Sequence, residues 1–104
     1  MQTTIVQYKL KADRVEENEK FVRAVYAELS EVKPIGFSYS TFKLEDGVSF
    51  VHIAHLADGA KAPLSGIKAF QEFQQGVKDR CEELPVVSKA TEVGAYHSDL
   101  AMVD

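Results

Sequence analysis

Residues 37–56 read FSYSTFKLEDGVSFVHIAHL, and this stretch decides the fold. Two extended runs, residues 37–44 and 48–56, flank Asp46-Gly47. Asp-Gly between alternating side chains is a strong hairpin signal, because a type I′ turn needs positive φ at both central residues. A two-residue turn fixes the register: Glu45 faces Val48, Lys43 faces Phe50, Thr41 faces His52 and Tyr39 faces Ala54. One face then carries Phe37, Tyr39, Thr41, Phe50, His52, Ala54 and Leu56. The other carries Phe42, Leu44, Val51, Ile53 and His55, with Ser38, Ser40 and Ser49. Both faces hold large apolar groups, whereas a sheet wet on one side alternates more cleanly. Each face therefore needs a cover.

Outward from the hairpin, residues 4–10 alternate with period two and read as a first strand. Asp13 with Glu16 has capping-box spacing and opens a helix predicted to reach Val32. Val15, Asn18, Val22, Val25 and Leu29 form its apolar stripe, widened by Phe21 and Tyr26. Glu16, Glu17, Glu19 and Glu28 fall on what reads as a solvated face. Pro34 and Gly36 end the helix. After a polar loop, Ser65 reads as the cap of a second helix over residues 66–84. Its stripe is Ile67, Phe70, Phe73, Val77 and Cys81, its weak point Gly76, and its stop Pro85. A last strand is expected over residues 88–97, then a loose tail.

The chain of 104 residues has room for one domain, residues 1–104. Its net charge is −4 at pH 7, which argues against wrapping nucleic acid or docking on an anionic membrane. One cysteine, Cys81, excludes an intrachain disulfide and multi-cysteine zinc sites. No signal peptide or membrane span is read, so a cytoplasmic protein is expected.

The element order is strand, helix, strand, strand, helix, strand. It predicts an α+β, ferredoxin-like βαββαβ fold with a four-stranded antiparallel sheet and both helices on one face. The other face stays apolar, and the economical cover is a second copy of the chain, giving a homodimer through the open sheet face.

The opening strand and acidic helix, the Asp46-Gly47 hairpin, the run Phe50 to Leu56 and the Phe70-Gln-Glu-Phe73 segment together resemble the dimeric α/β-barrel superfamily. The likeness is in particular to the antibiotic biosynthesis monooxygenase-like proteins, and it covers nearly the whole chain. The resemblance implies a homodimer, a small apolar or aromatic ligand, and cofactor-independent oxygenation of an aromatic or polyketide-like phenol.

On that analogy His52, among Tyr39, Phe50 and Thr41, is the candidate base toward a phenolic substrate. Tyr39 is its hydrogen-bonding companion, and Tyr8, Phe50, Phe70 and Phe73 are the candidate substrate-binding residues. Against this stands a plain structural role for every one of them, as core rings and satisfied strand histidines. His52 and His55 point to opposite faces and cannot chelate one metal. No metal and no cofactor is expected. Haem on His52, His55 or His97 is the remote alternative, and a non-catalytic binding or stress-related module the main rival.

Overall fold

The computed structural model describes residues 1–96. The elements are β1 (Gln2–Leu10), α1 (Val15–Val32), β2 (Phe37–Lys43), β3 (Ser49–Leu56), α2 (Lys68–Arg80) and β4 (Cys81–Ala90). Short 3-10 turns over Ala12–Arg14 and Leu64–Gly66 lead into the two helices. The strands are antiparallel in the order β2-β3-β1-β4, the ferredoxin-like arrangement expected. Among the described residues no helix is long and apolar enough to cross a membrane.

The hairpin register is the one derived from the sequence: Lys43 faces Phe50, Thr41 faces His52, and Tyr39 faces Ala54. The turn differs. Gly47 has φ +78, but Asp46 keeps negative φ, and the Gly47 N–H donates to the Leu44 carbonyl at 3.0 Å. Asp46 Oδ1 accepts the N–H groups of Val48 (3.0 Å) and Ser49 (2.8 Å). A carboxylate cap over a longer loop replaces the type I′ turn and leaves the register unchanged, because side-chain alternation dictates the pairing.

Four boundaries move. Asp13 lies within the first 3-10 turn, and α1 begins at Val15 with no side-chain cap. Ser65 likewise lies in a 3-10 turn. The first N–H groups of α2 are instead satisfied by Glu28 of α1, whose carboxylate accepts from Lys68 at 3.1 Å and Ala69 at 2.8 Å. A residue expected on a solvated face is thus an inter-helix cap, placed where the helix dipole favours an anion. Finally, α2 stops at Arg80 and β4 starts at Cys81, so Cys81 is a strand residue and Pro85 sits inside β4. Edge position and a register shift against β1 between Gln7 and Lys9 accommodate the proline's missing donor. The predicted last strand survives only as far as Ala90; His97 and the predicted tail lie outside the described residues.

The core is Tyr8, Leu10, Val22, Val25, Phe50, Phe73, Val77 and Cys81, between the helices and the sheet. It is built from alternate strand residues and the apolar stripes of both helices. The opposite sheet face leaves Phe42, Leu44, Leu84 and Val86 exposed.

Candidate functional site

Alternation along β1, β2 and β3 aims Tyr8, Tyr39, Thr41 and His52 to the helix side of the sheet, where the pairing sets Thr41 and Val6 beside His52. A cavity of about 370 Å³ opens there. Its floor includes Thr4, Val6, Ala54 and Val87, and its roof is Phe70, Phe73 and Val77 of α2 with Leu64 of the preceding turn. Tyr39, Ala54, Thr4 and Lys89 share one row across all four strands. The small side chains of Ala54 and Thr4 in the middle of that row leave the hollow. Lys89 at its far end is the one formally charged lining residue among those described.

At the inner wall lies a continuous set of polar side chains. His52 is 4% exposed. Its Nε2 lies 2.7 Å from Tyr8 Oη, and its Nδ1 lies 2.8 Å from Tyr39 Oη and 3.0 Å from Thr41 Oγ1. Thr41 Oγ1 meets Tyr26 Oη at 2.7 Å. Behind Tyr8, Asn18 Nδ2 donates to Tyr8 Oη at 2.9 Å, and Arg80 Nε donates to Asn18 Oδ1 at 3.1 Å. Arg80 Nη2 also donates to the Phe73 carbonyl at 3.0 Å.

Burial dominates the ionisation of these groups. It lowers the His52 pKa to about 4, so the ring is neutral at pH 7. It pushes the Tyr8 and Tyr39 phenols well above their ordinary values and raises the Cys81 thiol. Arg80 is only 1% exposed, yet takes part in none of the ion pairs among the described residues. Its guanidinium lies 4.6 Å from the Phe21 ring centroid and 5.4 Å from that of Phe73, which compensates part of its desolvation. Gly76 makes room for it: a Cβ there would come within 2.7 Å of Arg80 Nη1.

Of the residues singled out from sequence, His52, Tyr39, Tyr8, Phe70 and Phe73 line the cavity together. Phe50 lies behind them, buried in the core and stacked on Tyr8 at 5.8 Å between centroids. His55 is on the opposite face, its Nδ1 2.9 Å from Thr3 Oγ1. Sequence reasoning passed over Asn18 and Arg80 as functional residues. The available signals were an amide on an otherwise apolar stripe, and an arginine seven residues after Phe73 and four after Gly76 on the buried side of α2. Among the described residues no cluster of three histidine, cysteine, aspartate or glutamate side chains is arranged to hold a metal ion.

No protein-family model and no curated protein sequence matches the chain. Solved structures do. An antibiotic biosynthesis monooxygenase superimposes with a TM-score of 0.70 at 17% identity, over 90% of this chain and 100% of its own. A variant of SnoaB, a cofactor-independent oxygenase from Streptomyces nogalater, gives 0.67 at 13% identity, over 90% and 94%. A protein from Pseudomonas aeruginosa gives 0.70 at 18% identity, over 89% and 94%. The chain therefore has the fold of the antibiotic biosynthesis monooxygenase-like proteins.

Proposed function

We infer that the chain binds a small, largely apolar aromatic molecule between sheet and helices, and that it is a cofactor-independent monooxygenase of phenolic substrates. The observation that carries this reading is the convergence of the Tyr8 and Tyr39 hydroxyls on His52, three residues that line a largely apolar cavity. Phe70 and Phe73 lie against the ring system, and the phenolic oxygen meets Tyr39, with His52 immediately behind it. An ionised phenol is electron-rich enough to react with molecular oxygen directly. One oxygen atom ends in the ring as a carbonyl and the other leaves as water. The protein's part is to position the ion and exclude bulk water. The likeness in fold to a named cofactor-independent oxygenase supports the reaction class.

The working form is a homodimer joined through the open sheet face. Supporting this are Phe42, Leu44, Leu84 and Val86, exposed apolar side chains toward the two edges of that face, with Val51, Ile53 and Ile5 on the strands between them.

Oxygen uptake with a tricyclic phenol and no added cofactor tests the reading. Uptake is expected from the wild type and from His55→Ala, whose side chain is on the far face, and is expected to disappear in His52→Ala. Retention of the phenol without oxygen uptake would leave a binding module, and equal uptake by His52→Ala would remove His52 from the chemistry.

A further inference from the structure

The geometry points to a one-way chain of hydrogen-bond donors, running from Arg80 through Asn18, Tyr8 and His52 to Tyr39, which makes the cavity select an anionic ligand oxygen, a phenolate or enolate, over its protonated form. The inference rests on the cavity being the ligand site.

The direction is set at the buried end. A guanidinium only donates, so Arg80 Nε–H points at Asn18 Oδ1, 3.1 Å away. With its oxygen engaged, Asn18 turns its Nδ2 toward Tyr8 Oη at 2.9 Å and donates. Tyr8 accepts there, and its single proton goes to His52 Nε2 at 2.7 Å. The opposite arrangement would leave that proton without a protein acceptor on a residue only 2% exposed, which burial penalises. Because Nε2 accepts, the neutral ring carries its proton on Nδ1. Both neighbours of Nδ1, Tyr39 Oη at 2.8 Å and Thr41 Oγ1 at 3.0 Å, then face a donor. Tyr39 is the nearer of the two and takes that proton, so it cannot donate to His52, and on a residue that lines the cavity its own proton is left uncommitted.

A ligand oxygen placed there meets a donor backed by three further donors and, at the far end, by a buried cation with no carboxylate partner among the described residues. Aligned donors polarise one another, and the sum favours negative charge on the final acceptor. His52 thereby works through Tyr39 as a positioning residue, as do Asn18 and Arg80. The buried arginine, its asparagine clamp and the glycine that admits it become parts of a single device.

Asn18→Asp is the informative variant. The aspartate keeps the shape and pairs with Arg80, but it offers only acceptors. Tyr8 must then donate to it, His52 Nε2–H donates to Tyr8, Nδ1 accepts from Tyr39, and the Tyr39 oxygen turns to the ligand as an acceptor. Two readouts report this. Nitrogen NMR of the labelled His52 ring is expected to find the proton on Nδ1 in the wild type and on Nε2 in Asn18→Asp. Visible titration of a bound nitrophenol is expected to give an apparent pKa lowered by about one unit in the wild type, a roughly tenfold preference for the ion, and no lowering in the variant. A wild-type ring protonated on Nε2 overturns the inference, and it needs no variant to be measured. Nitrophenol bound with an unshifted pKa overturns it while sparing the cavity as ligand site. Failure of nitrophenol to bind at all overturns both.

Discussion

Replacing Asn18 by leucine should cost this fold about 2–3.5 kcal/mol, the half kcal/mol or so by which leucine is the better helix former already subtracted. Asn18 is 0% exposed and joins two groups that are themselves only 2% and 1% exposed, Tyr8 and Arg80. Its loss removes an acceptor from the charged Arg80 Nε–H, a bond of the class worth about 1.5–3 kcal/mol. It also removes a donor to the Tyr8 hydroxyl, worth about 1 kcal/mol. The Arg80 guanidinium is too deeply packed, between the Phe21 and Phe73 rings, to recruit solvent in exchange. Urea denaturation followed by circular dichroism would show a lower midpoint at unchanged slope, and thermal scans a melting temperature lower by roughly 10 °C or more. The double variant Asn18→Leu/Arg80→Met should be less damaged than the sum of its parts by more than about 1 kcal/mol, since it removes the stranded charge. A loss below about 1 kcal/mol, or strict additivity, would refute the account of Asn18 as the clamp.

Gly76→Ala, normally worth up to about 1 kcal/mol of helix stability, should here destabilise, because the new methyl meets Arg80 Nη1 at 2.7 Å; a denaturation midpoint above wild type would contradict this. Burial holds the native pKa of His52 at about 4, below its ordinary value of 6.5. The unfolded chain therefore binds this proton first, and the His52 contribution is complete above pH 6.5 and drains away between pH 6.5 and 4, by up to about 3 kcal/mol. Glu17 and Asp46 are held below their ordinary values by Arg14 and by Ser49, so their losses come at lower pH still; His52→Gln should flatten the upper part of the acid limb and leave the lower part. Phe42→Glu should convert a particle of twice 11.6 kDa into one of 11.6 kDa in sedimentation equilibrium at micromolar concentration; a wild type already at 11.6 kDa would dispose of the paired sheet face.

The hairpin was legible because period-two alternation constrains residues 37–56 regardless of how the turn is made, and His52, Tyr39 and Thr41 share a face for the same reason. The turn type escaped the sequence because Asp46 caps two N–H groups with its side chain, a choice that an Asp-Gly pair leaves open. The end of α2 escaped it because Cys81 continues the helical spacing of Phe73 and Val77 while also serving as the buried start of β4. Pro85, a helix stop by its chemistry, is equally at home on an edge strand. Arg80 and Asn18 stand 62 residues apart and meet only when α2 packs on α1, so no local pattern joins them.

A phenolic ligand proposed for the hollow under α2 has its oxygen at Tyr39. Titrating the uniformly labelled protein with a tricyclic phenol under nitrogen, and following backbone and His52 ring resonances, tests it directly. Saturable shifts are expected at His52, Tyr39, Ala54 and Phe73, and none at Ile5, Val51 or Ser88 on the far face. Shifts confined to those far-face residues, or none anywhere, would contradict that placement.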